Sequence, residues 1–241
     1  MEKITETSVK YKNELNLVPL KNFNAKQMDL FFALCARMKD KGLQKIRFSF
    51  EELKDLSDYK MTAIDAFVSD LEKLYKNMIN LTYRTEDSKA IQYFVLFTGF
   101  KIDKSEHYVE ISVNPDLEYV INGLTAEFSS FELSALTNLR STYTKTLFRL
   151  LMQFKSTGYY VVKVEDFRDL LDIPKSYRMS NIDQTVLKPS LSELSNYFTD
   201  LEVAKIKAKK GNKVAKLQFT FSGIKTETKP KILMHNWLEG E

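Results

Sequence analysis

A twelve-residue pattern occurs twice in this chain, 114 residues apart. Phe48 to Tyr59 (FSFEELKDLSDY) aligns without gaps with Val162 to Ile173 (VKVEDFRDLLDI), apolar facing apolar, acid facing acid and base facing base at nearly every position. Matching helix-start patterns can coincide by chance, so the flanking segments decide whether this is a true repeat of structure. A length of 241 residues suits two domains of ordinary size, each with its own core.

The flanks repeat in the same order. In the first half, Asn24 and Gln27 form a capping box with Phe23 and Met28 as hydrophobic staple, opening a helix from about Ala25 to Met38. A β-branched and aromatic stretch, Lys45 to Phe50, leads into a second capping box, Ser49 to Glu52, and a short helix through Leu56. A third helix spans Met61 to Met78, where Ile64, Phe67, Val68, Leu71, Leu74, Tyr75 and Met78 recur at steps of three and four as one apolar stripe. Strand-like runs follow at Ile79–Arg84, Ala90–Ile102 and His107–Val113, the last two joined by the polar turn Asp103 to Glu106. Asn114-Pro115 then caps a further helix ending near Asn122-Gly123.

In the second half an amphipathic helix, Ser141 to Lys155, precedes the repeated pattern. A helix from Ser180 to about Phe198 follows it, then strands Leu201–Lys207 and Lys213–Phe221 around a Lys210-Gly211-Asn212 turn. Helix, strand, short helix, long helix and β-hairpin is the order of a winged helix-turn-helix. The expected fold is α+β: a first winged-helix domain over residues 1–123, a second over 124–222, and a C-terminal tail, 223–241.

Charge separates the halves further. Lys175 to Lys216 holds 9 Lys and Arg against 4 Asp and Glu, while the remainder holds 27 against 28, so the surplus positive charge sits in one segment. Within it, Ser180, Asn181, Gln184, Thr185 and Lys188 lie off the apolar stripe of the long helix, which Ile182, Val186, Leu187, Leu191, Leu194 and Phe198 make. Asn and Gln can pair with the N6 and N7 edge of adenine, and Arg178 and Lys188 with guanine or phosphate. The hairpin that follows carries Lys205, Lys207, Lys209, Lys210, Lys213 and Lys216, which suit phosphate contact and equally suit protection of an edge strand. A polar helix beside a basic wing in one domain favours DNA, with Lys175 and Tyr177 in the preceding turn completing the candidate surface. The third helix of the first half mixes Asp58, Asp65, Asp70 and Glu72 with Lys60, Lys73 and Lys76, a near-neutral surface and a poor phosphate ligand.

Catalysis finds little in the sequence. There is no P-loop, and His107 and His235 stand alone, without the His-x-His pair that a metal-assisted tyrosine nickase needs. Glu51-Glu52 and Glu165-Asp166 sit in first helical turns, where the helix dipole favours carboxylates with no acid–base role. We expect no enzyme activity, no cofactor and no metal. The single cysteine, Cys35, lies in an apolar run and reads as a buried structural thiol. The polar N-terminus and the absence of any apolar run of membrane-spanning length point to a soluble protein of the bacterial cytoplasm.

Several short motifs, taken in order, resemble the initiator proteins of theta-replicating, iteron-containing plasmids. They are Phe97 to Phe100, Val109 to Asn114, Phe131 to Leu133, Arg140 to Tyr143, Leu147 to Leu151, and Val186 to Pro189, and the similarity extends from about Lys12 to Phe221. The resemblance implies two winged-helix domains, the second binding direct repeats of double-stranded DNA and the first serving dimerisation and auxiliary DNA contact. It further implies a homodimer in equilibrium with monomer, opening of the adjacent duplex, recruitment of host initiator and helicase, and repression of the protein's own promoter. Many members look more basic at the start of the second recognition helix, where this chain has Asn181 to Thr185. The alternatives are a winged-helix transcriptional regulator without initiator activity and a protein-binding tandem winged helix. The dimer surface is expected at Tyr93, Phe94, Val95, Leu96 and Phe97, a run apolar on both strand faces. The tail and its Trp237 lie outside the resemblance.

Overall fold

The computed structural model describes residues 7–60, 63–86, 89–209 and 211–225. Strand β1 (Ser8–Lys12) and a 3-10 turn (Asn13–Leu17) lead to helix α1 (Ala25–Met38), β2 (Ile46–Ser49), α2 (Phe50–Leu56) and α3 (Ile64–Ile79). A hairpin of β3 (Thr82–Glu86) and β4 (Ile91–Val95) is followed by β5 (Phe97–Asp103) and β6 (Tyr108–Val113). After a 3-10 turn (Pro115–Val120) come β7 (Phe128–Glu132), α4 (Leu133–Thr137), α5 (Thr142–Gln153), β8 (Tyr159–Lys163) and α6 (Val164–Leu170). Helix α7 (Met179–Asn181), a π-helical stretch (Ile182–Leu187) and α8 (Lys188–Leu194) run on without interruption. Strands β9 (Phe198–Thr199), β10 (Glu202–Lys207), β11 (Val214–Thr220) and β12 (Gly223–Ile224) complete the described chain.

The repeat in sequence is a repeat in structure. Helices α2 and α6 begin at Phe50 and Val164 and end at Leu56 and Leu170, each pair 114 positions apart. Both end in the same Schellman motif. Tyr59 N–H donates to Lys54 C=O at 2.8 Å and Ile173 N–H to Arg168 C=O at 2.9 Å, while Asp58 and Asp172 sit between them in the left-handed region, at φ 48° and 53°. An aspartate tolerates that conformation because its short polar side chain bonds locally, and a β-branched residue does not. Asp58→Val is therefore expected to cost about 1–2 kcal/mol in urea unfolding and Asp58→Gly to be tolerated. Equal losses for both variants would mean that the Asp58 side chain, not its backbone conformation, carries the effect.

Each half closes on a three-stranded antiparallel sheet of matching order, β2-β6-β5 in the first and β8-β11-β10 in the second. The alternation expected of a half-buried strand is plain in β6, where Val109, Ile111 and Val113 are buried and their neighbours are not. The Asn24 capping box forms in full, with both bonds near 3 Å. The Ser49 box forms only in part: Ser49 Oγ accepts from Glu52 N–H, but the Glu52 carboxylate turns away to bind Arg37. The segment after Asn114 is a 3-10 turn, not an α-helix, with the Asn114 side chain accepting from Asp116 N–H at 3.0 Å.

Four further expectations change. The long helix expected to run to about Phe198 ends at Leu194, and Phe198 stands in β9. The run Ala90–Ile102 is two strands, broken at Leu96, because β4 pairs with β3 while β5 pairs with β6. The division at residue 123 separates strands that belong together: β7 pairs with β1 along its full length, from Ser8 opposite Glu132 to Lys12 opposite Phe128. Gly223 and Ile224, placed in the tail, pair with Thr199 and Phe198 and so belong to the second half. The long helix of that half is distorted where Pro189 follows. Proline has no N–H to return to the carbonyl four residues earlier, and the widened π turns just before it absorb the misfit.

The two halves share one continuous apolar core, with α5 packed between them. Two cations one turn apart on α5 are buried in that junction: Lys145 is 0% exposed and Arg149 1%. Lys145 Nζ contacts Asp29 Oδ1 of α1 at 2.6 Å and donates to Leu136 C=O at 2.7 Å. Arg149 donates to Tyr11 Oη, Leu15 C=O and Asn16 Oδ1 at 3.3–3.4 Å and lies over the Phe32 ring. Asn16 in turn donates to Ser129 and Gln153, so a polar network links β1, the first 3-10 turn, β7 and α5 inside the core. Cys35 is fully buried as expected, and burial pushes its thiol up to about 12, out of reach of redox chemistry at neutral pH.

Candidate nucleic-acid interface

The candidate surface is assembled by α6, the turn that follows it, the continuous helix from Met179 to Leu194, and the β10–β11 wing. The turn is held from below. Arg168, in the last turn of α6, donates to the carbonyls of Pro174 and Tyr177, which fixes the path of the chain into the recognition helix. Arg168 was not among the expected site residues; its signal in the sequence was its place opposite Lys54 in the repeat. Tyr177, expected at the surface, is half-buried and packs on the core, so it shapes the turn and offers DNA little.

On the helix, Ser180, Asn181, Gln184, Thr185 and Lys188 are all exposed, while Ile182, Val186 and Leu187 are buried beneath them. Ser180, Gln184 and Lys188 follow one another along a groove whose far wall is Val203 and Lys205 of the wing. Asn181 is already occupied: its Oδ1 accepts the Arg178 N–H at 2.9 Å and caps the helix. A bidentate contact with adenine needs both the carbonyl and the amide of that side chain, so Asn181 could make one only by releasing the cap. Gln184 carries no such engagement among the described residues, which leaves both ends of its side-chain amide open in the groove.

The wing lysines differ in what they can offer. Lys205 is drawn to Asp183 on the recognition helix, in an ion pair that ties wing to helix and cancels both charges. Lys213 pairs with Glu165 at 3.1 Å, joining the wing to the first turn of α6. The Glu165 carboxyl is held below its ordinary value by its own backbone N–H and by that lysine. Lys207 donates to Asn212 Oδ1 at 3.3 Å and Lys209 is exposed beside it; Lys210 lies outside the described residues. Lys216 faces away. It stands opposite Lys163 and Ile206 in the sheet and lines a separate groove with Leu17 and Pro19, on the face turned from the recognition helix. The structure brings Arg168, Lys175 and Met179 together with the Lys213–Glu165 pair around one cleft between turn and wing, close to the helix N-terminus. Lys175 and Arg178 are both exposed there.

Among the described residues the first half shows no equivalent. On α3, Asp70 accepts from Tyr59 Oη at 2.7 Å and pairs with Lys73, and Glu72 pairs with Lys104 of the β5–β6 turn. Its charges are thus largely satisfied internally. Of the expected dimer residues, Leu96 and Phe97 are each 5% exposed and belong to the chain's own core, which removes them from any contact with a second copy. Phe94 and Val95 are half-buried, and Tyr93, with Ile91, is exposed on β4. Among the described residues no group of His, Cys, Asp and Glu is placed to hold a metal ion, and no helix is long and apolar enough to cross a membrane.

Comparison with known proteins agrees with this architecture. Residues 8–152 match the family described as initiator replication protein, WH1, and residues 163–221 match initiator Rep protein, WH2. A probable replication protein of Bifidobacterium longum (strain NCC 2705) is 35% identical over 188 residues, covering 77% of this chain; the chain spans 63% of that protein's length. Among solved structures, the Pi initiator protein in complex with iteron DNA superposes with a TM-score of 0.71 over 93% of this chain and 100% of its own, at 16% identity, a likeness of fold. With both halves matched in order along the chain, this protein belongs to the family of initiator replication proteins built from tandem winged-helix domains.

Proposed function

We propose that this protein initiates plasmid replication by binding direct repeats at the plasmid origin through its second winged helix. The observation that carries the reading is the exposed row Ser180, Gln184 and Lys188 on a helix flanked by the lysines of the wing, in the half of the chain that holds the surplus positive charge. The solved initiator that this chain resembles in fold is described in complex with iteron DNA, which supports the same assignment here. Bound at the origin, the protein promotes opening of the adjacent duplex and recruits the host initiator and helicase. As a homodimer, in equilibrium with monomer, it represses its own promoter. Ile91 and Tyr93 are the apolar groups that β4 presents for self-association.

The test has two arms. A plasmid carrying tandem repeats from upstream of the coding region should replicate only when the protein is supplied; repeat binding without replication would make it a regulator. At residue level, Gln184→Ala should weaken the cognate repeat by about 1–3 kcal/mol in fluorescence-anisotropy titrations and leave scrambled duplex nearly unaffected, since a base-edge contact counts only where its base is present. Equal losses on both duplexes would remove Gln184 from the reading face.

A further inference from the structure

Strand β8 is an edge of the second sheet: it pairs with β11 on one side, and among the described residues no strand joins it on the other. The register decides which backbone groups that leaves open. Phe221 N–H donates to Gly158 C=O at 3.0 Å in the same antiparallel ladder, so alternation makes Tyr160 and Val162 the residues that exchange bonds with Phe219 and Leu217. The N–H and C=O of Tyr159 and Val161 then point outward, where no described residue bonds them. Such an edge is a template for a further strand.

The edge borders a groove of about 560 Å³. Tyr160 to Lys163 all line it, and because successive side chains of a strand point to opposite faces, a groove touched by four in a row runs along the strand's edge. Its far wall comes from the first half, from Pro19 and from Leu17, an apolar residue left 68% exposed. That loop is pinned to the second half at both ends: Arg149 donates to Leu15 C=O at 3.3 Å, and Asn22 N–H donates to Asp172 Oδ2 at 3.2 Å.

Charge around the groove is sorted by face. Asp166 and Asp169, one turn apart on α6, stand with Leu170 on the side where α6 covers the inner face of the sheet. Lys163 and Lys216 lie opposite each other on β8 and β11, on the outer face. All four charged groups are exposed, and none forms an ion pair with another described residue. Side chains of a strand added to β8 would alternate between the two settings, carboxylates with Leu170 on one face and ammonium groups on the other.

We propose that this groove binds an extended segment of a partner protein as a fourth strand beside β8, the segment carrying basic and apolar residues on one face and carboxylates on the other. Backbone bonds to Tyr159 and Val161 hold it, and the sorted charges set its register, because a slip of one residue brings like charges together.

The probe is a synthetic hexapeptide with blocked ends, Lys-Glu-Leu-Thr-Lys-Glu, titrated into the full-length isotope-labelled protein. The expected result is saturable shifts and slowed hydrogen exchange at the amides of Tyr159 and Val161, with Tyr160 and Val162, already bonded within the sheet, changing little. Two N-methylated peptides, one for each alternate set of residues, keep every side chain; only the set whose N–H groups face β8 should lose binding. Asp166→Lys combined with Asp169→Lys should weaken the first peptide about tenfold and restore binding to Glu-Glu-Leu-Thr-Glu-Glu. No shift at either amide at millimolar peptide would overturn the proposal, as would equal binding by both N-methylated peptides or affinities unmoved by the aspartate variants. Protection of both amides in the protein alone would overturn it too, showing the edge already taken by the chain itself or, if dilution abolishes it, by a second copy.

Discussion

Replacing Lys207, Lys209 and Lys213 by Ala should weaken binding to cognate repeat and scrambled duplex alike, and should lower the slope of log affinity against log salt by about 0.9 for each phosphate no longer neutralised. All three side chains are exposed on the wing. The effect is expected to be uneven among them. Lys213 gives up an ion pair with Glu165 to reach phosphate, so its single replacement should change the slope less than that of Lys209. Lys216, on the opposite face of the sheet, serves as the internal control: Lys216→Ala should leave affinity and slope unchanged. Lys205→Ala should behave differently again, because it frees the carboxylate of Asp183 beside the reading face and adds repulsion to the missing positive charge. Salt-dependent anisotropy titrations separate these outcomes. A triple variant that loses only cognate binding would show that the wing reads bases.

The largest stability effect is expected at the junction between the halves. Asp29→Ala leaves the fully buried Lys145 ammonium without its carboxylate, and breaking a buried pair from one side costs about 3–5 kcal/mol. Adding Lys145→Met, which removes the second charge and keeps an apolar stem of similar length, should recover most of that stability. Urea unfolding of the two variants decides it. If the double variant is no more stable than the single, then packing around Asp29, not the orphaned charge, is what the first substitution damages. Burial also raises the Asp29 carboxyl from its ordinary value to about 7, against the pull of Lys145. In the unfolded chain the group ionises near 4. Between about pH 4 and 7 the folded state therefore holds the proton more tightly, and the native protein should lose stability relative to Asp29→Asn as pH rises through that window.

How far the sequence reaches depends on whether a feature is local. The twelve-residue repeat, the Asn24 capping box, the stripe of α3 and the polar face of the recognition helix all express the period of a single helix or the chemistry of a few neighbouring residues, and each is present as read except at Ile64, which α3 leaves exposed. The surplus of positive charge in one segment was likewise legible, because composition needs no coordinates. With the order of elements, these determine two winged helices and point to the half proposed to face DNA.

Pairing between distant residues was decided only by tertiary structure. Nothing in the run from Tyr93 to Phe97 marks Leu96 as the break between two sheets. Its apolar character suits an exposed interface and an internal core equally, and only the partners of β4 and β5 choose between them. The lysines of the wing look alike in sequence, yet strand alternation and the positions of Asp183 and Glu165 neutralise two and turn Lys216 away. Lys145 and Arg149 stand one helical turn apart on α5, a spacing that in sequence describes a solvated face. They are buried because Asp29, Tyr11 and Asn16, more than 110 residues earlier, arrive to satisfy them, and a contact at that separation leaves no periodic trace in either segment.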